Sequence, residues 1–361
     1  MTALAKVNTA AGEVAFAPGI YFGMDDATYH AIPALSASGI KNLRISPLDF
    51  WARSAWLNPN FEEDSEESDS FAKTLGQAYH ARILEGREVF LSRFAAEIEP
   101  SERHLRTDED LKRYCGERGL STGGKRKQDR IDRILEADPA MAGLIWDCVK
   151  DAYEQEHEGK TFLAQKLLDK IELAAAMIEK HPDLSKAFSG GMPEVVICWI
   201  CPVIGIPCKA RLDYLKPKAI VDLKTFGNAQ GKPIDIAIAR ELASRGYHRQ
   251  AAWYDDGAQQ IKSLMDAGQV YGDAPHDYLS KLYAAHEKTF LFVWQAKGVA
   301  PLARGKTLPR EGTTFRIGQT ECETAKQTFR TYTEKFGKLP WIDETKIEAI
   351  DDTEIPPWAF D

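Results

Sequence analysis

The sequence predicts an α/β fold in which a β-sheet is flanked by helices. Three observations support this prediction. Residues 194–224 contain three consecutive apolar runs of strand length, separated by turns. Apolar residues recur at helical spacing within 71–86 and 160–188. A strand-like run at 289–296 precedes a helical pattern at 319–337. Strands and helices therefore share the chain, and three of the strands are adjacent in sequence.

The composition is that of a globular protein. The 361 residues are 44% apolar and 28% charged, with a formal net charge of −8, and this length suits one large domain or two smaller ones. No apolar run approaches the ~18 residues of a membrane span. Residues 1–19 lack the apolar block of a secretory signal, so a cytoplasmic protein is expected. The net acidity argues against a protein that coats nucleic acid through charge alone.

Two short helices are predicted before the first long one. Ser36 or Ser38 caps the first, and Ser46 followed by Pro47 begins the second. Residues 62–69 then hold six acids in eight positions, which is typical of a solvated loop.

A basic segment at 105–137 departs from the acidic average. Two helical patterns flank a Gly-rich connection, and within 110–135 eight Lys or Arg stand against four acids, a local net charge of +4. The segment resembles a SAP-type helix–extended–helix DNA-binding motif. In that interpretation Lys125, Arg126 and Lys127 face phosphates, which positions a protein without reading base sequence. A charged helical hairpin exposed to solvent is the alternative.

The sharpest motif lies on two neighbouring strands. Asp213 ends one strand, a Lys-Pro-Lys turn follows, and Asp222 and Lys224 point to one side of the next strand with Leu223 on the other. Two carboxylates brought together across a hairpin favour a cation between them. Hard oxygen ligands suit Mg²⁺ or Mn²⁺, and a neighbouring ammonium can orient a water or stabilise charge on a phosphate. A surface hairpin with a salt bridge is the alternative.

This hairpin resembles the core of PD-(D/E)xK nucleases. Three further elements match the RecB-like branch in order. His80 lies on an apolar helix, Glu194 opens the first strand, and Gln250 and Tyr254 share one face of a helix predicted within 233–266. A buried core histidine and a solvated strand end are the alternatives for the first two.

The flanking segments narrow the resemblance to RecE-like (exonuclease VIII) PDDEXK exonucleases. These segments are PGIYFGMDDATYHAIPALSASGIKNLRISPLDFWA, LGQAYHARILEG, PEVVICW, ARLDYL, VDLKT and YHRQAAWY. The resemblance covers about 18–336 and implies a PD-(D/E)xK core, a central mixed sheet flanked by helices. It also implies Mg²⁺-dependent 5′→3′ degradation of duplex DNA from its ends by ring-shaped oligomers, beside a single-strand annealing recombinase.

The same resemblance implies roles for individual residues. His80, Asp213, Asp222 and the Leu223 carbonyl would bind metal. Glu194 would bind a second ion or a bridging water, so that two Mg²⁺ or Mn²⁺ ions are expected. Lys224 would position or activate the attacking water, and Gln250 and Tyr254 would contact the DNA strand.

A 5′-phosphate anchor is a further hypothesis. Arg44 with Ser46, and Ser36 or Ser38 at a helix start, are candidates because arginine forks and helix N-termini suit phosphate. Plain helix capping and a surface arginine are the alternative.

Two other patterns are interpreted as non-functional. Cys198, Cys201 and Cys208 lie in an apolar run without a fourth ligand, which favours buried thiols over a metal site. Residues 300–307 match a relaxed P-loop, but a turn follows instead of a helix, so no nucleotide cofactor is expected.

The sequence thus predicts an ATP-independent 5′→3′ double-stranded DNA exonuclease that leaves 3′ single strands for phage-type or prophage-type recombination. A structure-specific or restriction-like endonuclease and a non-catalytic DNA-binding scaffold are the alternatives. The predicted divisions are an N-terminal helical part, the SAP-like insertion, the nuclease core and a flexible acidic tail, at 1–104, 105–137, 138–340 and 341–361.

Overall fold

The computed structural model of the chain describes residues 6–9, 12–61, 67–298, 300–347 and 349–355. The chain divides into two compact units. Residues 1–70 and 180–361 form the sheet unit, and residues 71–179 form the helical unit.

The strands of the described chain are β1 (Lys6–Thr9), β2 (Gly12–Ala15), β3 (Gly19–Tyr21), β4 (Phe94–Ala96), β5 (Thr161–Leu163), β6 (Met192–Ile200), β7 (Pro207–Lys216), β8 (Ala219–Phe226), β9 (Val270–Tyr271), β10 (Thr289–Ala296) and β11 (Ala303–Thr307). The α-helices are α1 (Asp26–Ala31), α2 (Ala37–Ile45), α3 (Pro47–Ala52), α4 (Glu67–His80), α5 (Arg87–Arg93), α6 (Asp108–Glu117), α7 (Lys127–Ala137), α8 (Trp146–Glu156), α9 (Gln165–Lys180), α10 (Ile234–Arg245), α11 (Tyr247–Gln259), α12 (Ile261–Asp266), α13 (His276–Ala284) and α14 (Thr313–Phe336).

Most predicted elements are confirmed, and several boundaries differ. Asp213 does not end its strand, because β7 continues to Lys216 and pairs with β8 beyond Asp213. The helix predicted over 319–337 begins earlier, at Thr313. The long helix predicted over 160–188 is shorter, because Thr161–Leu163 forms β5 and the helix ends at Lys180. His181 precedes a proline, and a residue before proline is disfavoured in the α conformation. The acidic loop predicted over 62–69 is also shorter, since 67–69 begin α4; positions 62–66 lie outside the described residues.

The sheet unit is built on a mixed sheet with the strand order β11-β10-β8-β7-β6-β3-β9. Strands β8 and β10 are parallel, as are β3 and β9, and the other neighbours are antiparallel. One core cluster joins β6 and β7 to α11 and α14, through buried Trp199, Trp253 and Phe329. Trp341 is also fully buried there and stacks on Phe50, so the chain stays packed on this unit up to that residue. The mixed α/β architecture predicted from the sequence is therefore present.

The β7–β8 hairpin opens into a fork. Its ladder has the pairs Lys216–Ala219, Leu215–Ile220 and Tyr214–Val221, and none of the next described residues continues it. Two other groups form hydrogen bonds with backbone groups of β7 that do not pair with β8. Leu35 exchanges backbone hydrogen bonds with Pro207 and Lys209, and the Trp253 indole donates to the Lys209 carbonyl at 2.9 Å. The opening is thus stabilised by specific partners.

A buried lysine fixes α1 against β7. Lys209 is 5% exposed, and its ammonium donates to the carbonyls of Tyr29, His30 and Ile32 at 2.8 to 3.1 Å. These carbonyls lie at the C-terminal end of α1, where a cation also complements the helix dipole. The contact holds α1 beside the fork.

Lys209 is expected to make stability rise with pH on the alkaline side. Burial lowers the pKa of Lys209 from 10.5 to about 8, so above about pH 8 the unfolded chain holds a proton that the folded chain releases. The free energy of unfolding should then rise by up to about 1.4 kcal/mol per pH unit until the unfolded lysine titrates. Urea denaturation of wild type and Lys209→Met between about pH 8 and 10 measures this, because other titrating groups cancel in the difference. A difference independent of pH would contradict the prediction.

The helical unit has two small cores. One lies among α4, α5, α9 and the β4–β5 pair, and includes Tyr79, Phe90 and Ile171. The other holds α6 and α7 together through Leu111, Ile131 and neighbouring apolar residues. The two helices predicted in the basic segment are therefore present and packed on each other. None of the described helices of either unit is long and apolar enough to cross a membrane.

Candidate active site

The mouth of the fork brings the two predicted aspartates together. Asp213 and Asp222 face each other one step beyond the last ladder pair, Tyr214–Val221. The Asp213 carboxylate accepts the backbone N–H of Leu223 at 2.8 Å, in place of the carbonyl that a continued ladder would supply. Both aspartates are buried, Asp222 completely. The hairpin therefore forms the paired carboxylates that the sequence predicts.

Lys224 lies in the same cluster. Its ammonium is 2.7 Å from Asp222 Oδ2 and 4.6 Å from the centre of the Tyr247 ring. Burial alone would lower the pKa of Lys224, but the negative charges of Asp222 and Asp213 outweigh it and raise the pKa above its ordinary value. Lys224 is therefore a buried cation and hydrogen-bond donor at this site, suited to orienting a water or stabilising negative charge on a phosphate.

Helix α11 supplies the predicted polar pair on the adjoining side. The Gln250 amide donates to Tyr254 Oη at 2.7 Å and to Asp222 Oδ1 at 3.4 Å. Burial raises the pKa of Tyr254 well above its usual value, and the charges of Asp213 and Asp222 add to the rise. Helix α11 packs closely against α14 at Gly318. A Cβ at Gly318 would lie only 2.4 Å from the His248 carbonyl oxygen, so a glycine is required there.

Glu194 lies opposite Asp213 but is bound to an arginine. Pro193 pairs with Tyr214 and Val195 with Leu212, which places Glu194 across from Asp213. Its φ of 51° is the one positive value recorded for a non-glycine residue among the described residues. The Arg211 guanidinium donates to Glu194 Oε2 at 2.6 Å.

Arg211 and α1 are parts of the site that the sequence interpretation missed. Arg211 also pairs with Asp26 in the first turn of α1, and its guanidinium lies 5.7 Å from the centre of the Tyr29 ring. The alternation of Lys209, Arg211 and Asp213 along one strand was the available signal, since such residues share a side.

His80 belongs to the other unit. It is the last residue of α4 in the helical unit, whereas the two aspartates and Lys224 belong to the sheet unit. Its metal-binding role remains a prediction.

The 5′-phosphate candidates have structural partners. Ser36 and Ser46 are N-caps, whose hydroxyls accept the backbone N–H groups of Gly39 and Asp49. Arg44 pairs with Glu321 of α14 at 2.7 Å, and Glu321 also binds Arg249. Ser38 contacts the Ser36 hydroxyl at 3.0 Å.

In the basic segment the cations fall into two groups. Arg130 and Arg133 donate to carbonyls of the Ser-Thr-Gly-Gly connection and hold that loop in place. Lys127 is anchored to Asp147 and to the Arg106 carbonyl. Lys125 and Arg126 are exposed, and the Arg126 side chain pairs with Asp129 while 78% of it remains accessible.

The paired aspartates offer the oxygen donors that a hard metal ion takes. Asp213 and Asp222 provide adjacent carboxylate oxygens, which suit Mg²⁺ or Mn²⁺. Within the part of the chain that is described, no three His, Cys, Asp or Glu side chains are arranged to hold an ion. The Glu194 carboxylate is paired with the Arg211 guanidinium, and its metal-binding role stays a prediction. Cys198, Cys201 and Cys208 are free, buried thiols, and burial raises the pKa of Cys198 to about 12.

Comparison with known proteins gives a matching family and similar solved structures. The family described as "PDDEXK-like domain of unknown function (DUF3799)" matches residues 36–265. No curated protein matches the chain. A crystal structure from Eubacterium rectale, described as a "Putative exonuclease", is similar at 15% sequence identity and a TM-score of 0.33, over 67% of this chain and 89% of that one.

Proposed function

Since the chain belongs to the PDDEXK-like family DUF3799, we propose that it is a metal-dependent, ATP-independent nuclease that degrades double-stranded DNA from its ends in the 5′→3′ direction. The observation that carries this proposal is the buried Asp213–Asp222–Lys224 cluster at the mouth of the fork. A hairpin salt bridge that served only stability would not require two facing carboxylates and an opened ladder.

The residues of the cluster suit phosphodiester hydrolysis. Asp213, Asp222 and the Leu223 carbonyl would hold Mg²⁺ or Mn²⁺. When bound, the ion supplies positive charge at the phosphate and lowers the pKa of a bound water. Lys224 would orient that water and stabilise charge that develops on the phosphate oxygens. Gln250 and Tyr254 would contact the DNA strand from α11.

A cleavage assay tests the function and its direction. Linear duplexes labelled at the 5′ or the 3′ end, and closed circular DNA, are incubated with Mg²⁺ or with EDTA. We expect early release of the 5′ label, residual 3′ single strands, intact circles and no reaction in EDTA. Cutting of closed circles would instead favour the endonuclease alternative. Binding of DNA without cleavage would favour the non-catalytic scaffold.

The proposed function also implies a protein partner and an oligomeric state. Exonucleases that leave 3′ strands supply substrate to a single-strand annealing recombinase, and a homo-oligomeric ring would keep the enzyme on its duplex. Light scattering of the purified chain tests the ring, because a monomer with full activity would contradict it.

The exposed cations of the basic loop are expected to bind the DNA backbone, as in the SAP-like interpretation. Lys125→Gln should lower the affinity for a short duplex about three- to fivefold, and the combined Lys125→Gln/Arg126→Gln variant about tenfold, with a reduced dependence on salt. Fluorescence anisotropy over a salt series measures both effects. Lys150→Gln is the matched control, since Lys150 is an exposed cation of the same unit, paired with Glu154. Equal losses in Lys125→Gln and Lys150→Gln would argue against a specific contact.

A further inference from the structure

The contact between Arg211 and Glu194 changes what Glu194 can bind. Its carboxylate oxygen Oε2 accepts from Arg211 Nε at 2.6 Å, and both side chains are only about one-fifth exposed, 20% and 22%. A divalent ion on the same carboxylate would have to displace this guanidinium or sit beside it, and like charges at such short range repel strongly in a partly buried site.

Arg211 is held in place from several sides. Asp26 of α1 binds its Nη1 and Glu194 binds its Nε, while the Tyr29 ring lies beside it. The positive φ of Glu194 is a strained conformation that persists only where surrounding contacts enforce it, and such residues concentrate at functional sites. The arrangement is therefore a preorganised cation.

One nitrogen of the Arg211 guanidinium, Nη2, has no hydrogen-bond acceptor within the described part of the chain. Arg211 uses Nε for Glu194 and Nη1 for Asp26. Arg211 lies two residues before Asp213 on β7, on the same side and about 7 Å away along the strand. A planar guanidinium with spare donors suits a phosphate oxygen.

We propose that Arg211 takes the place of a second metal ion: the site holds one divalent ion, at Asp213 and Asp222, and Arg211 supplies the second positive charge next to the scissile phosphate. Glu194 then serves to position Arg211 and does not ligate metal. The phosphate contact rests on the proposed nuclease function, whereas the number of ions does not.

Counting Mn²⁺ ions tests the first half without requiring cleavage. We expect titration calorimetry and the electron paramagnetic resonance of free Mn²⁺ to give one tight ion per chain in wild type. Glu194→Gln should keep that ion with a Kd within about threefold, whereas Asp222→Asn should lose it. Two ions in wild type, with one lost in Glu194→Gln, would overturn the proposal. Failure of the nuclease function alone would leave this count unchanged.

Rescue by metal tests the second half. Arg211→Gln removes the cation that pairs with the Glu194 carboxylate. We therefore expect kcat to fall about 100-fold and to recover at least tenfold at high Mn²⁺, with KM for DNA little changed. Arg211→Lys should retain more activity than Arg211→Gln at low Mn²⁺. The double variant Arg211→Gln/Glu194→Gln should show no recovery. Two outcomes would overturn the proposed role of Arg211. One is recovery of kcat at high Mn²⁺ in the double variant. The other is no recovery of kcat in Arg211→Gln while that variant keeps the wild-type unfolding temperature.

Discussion

Lys224→Ala is expected to lower the rate of DNA cleavage by about 10³-fold or more, while DNA affinity changes by less than about threefold. The ammonium lies 2.7 Å from Asp222 Oδ2, inside the cluster that would contact the reacting phosphate. Removing one preorganised donor from such a site costs about 10² to 10³ in rate, and here the lost group also carries a full charge. The effect should therefore fall on kcat and not on KM.

Single-turnover cleavage of an end-labelled duplex measures this change, with anisotropy for binding. Lys216→Ala is the matched control, because Lys216 is a partly buried lysine at the far end of the same strand pair whose ammonium donates to the Lys186 carbonyl. It should retain activity within about threefold. A Lys224→Ala enzyme that keeps more than a tenth of the wild-type rate would remove Lys224 from the proposed mechanism.

The aspartates and Lys224 could be predicted from sequence because their signal is local. Asp213, Asp222 and Lys224 lie within one hairpin, and the period of a strand decides which side chains share a side. The caps at Ser36 and Ser46 are local for the same reason, since an N-cap acts on its own first turn.

The partner of Glu194 could not be predicted this way. Arg211 joins two acids that precede it by 17 and 185 positions, and only the tertiary fold brings α1 to β7. The alternation of Lys209, Arg211 and Asp213 places Arg211 on the same side of the strand as Asp213, but it does not identify the acids that Arg211 binds.

In the basic segment, the sequence predicts the local charge but not what each cation contacts. The local net charge identifies a basic segment, but it does not separate cations that hold a loop from cations that face solvent. Arg130 is buried and donates to the loop carbonyls of Thr122 and Gly124. Its planar fork satisfies several carbonyls at once, a use of arginine that composition cannot distinguish from phosphate binding.

Asp222→Asn and Lys224→Met are each expected to lower the free energy of unfolding by about 3 to 5 kcal/mol in EDTA, because each removes one charge of a buried ion pair and leaves the opposite charge in the cluster. Asp222 is fully buried and the Lys224 side chain is 11% exposed, so water cannot solvate the charge that remains in either single variant. The double variant Asp222→Asn/Lys224→Met removes both charges together. The double variant should therefore be more stable than either single variant, although all three variants lack the ion pair between residues 222 and 224.

Urea denaturation of the four proteins completes a double-mutant cycle on this pair, with the slope of each transition checked for equal exposure on unfolding. The expected coupling between the two residues is at least about 3 kcal/mol, because the double variant should lose less stability than either single variant. Arg245→Met and Glu241→Gln form the matched control cycle, since this pair is exposed on one face of α10 and should show coupling below about 0.5 kcal/mol. Additive losses at Asp222 and Lys224 would mean that the two charges do not compensate each other. In that case Asp213, whose charge also raises the pKa of Lys224, would have to be the main counter-ion of this lysine.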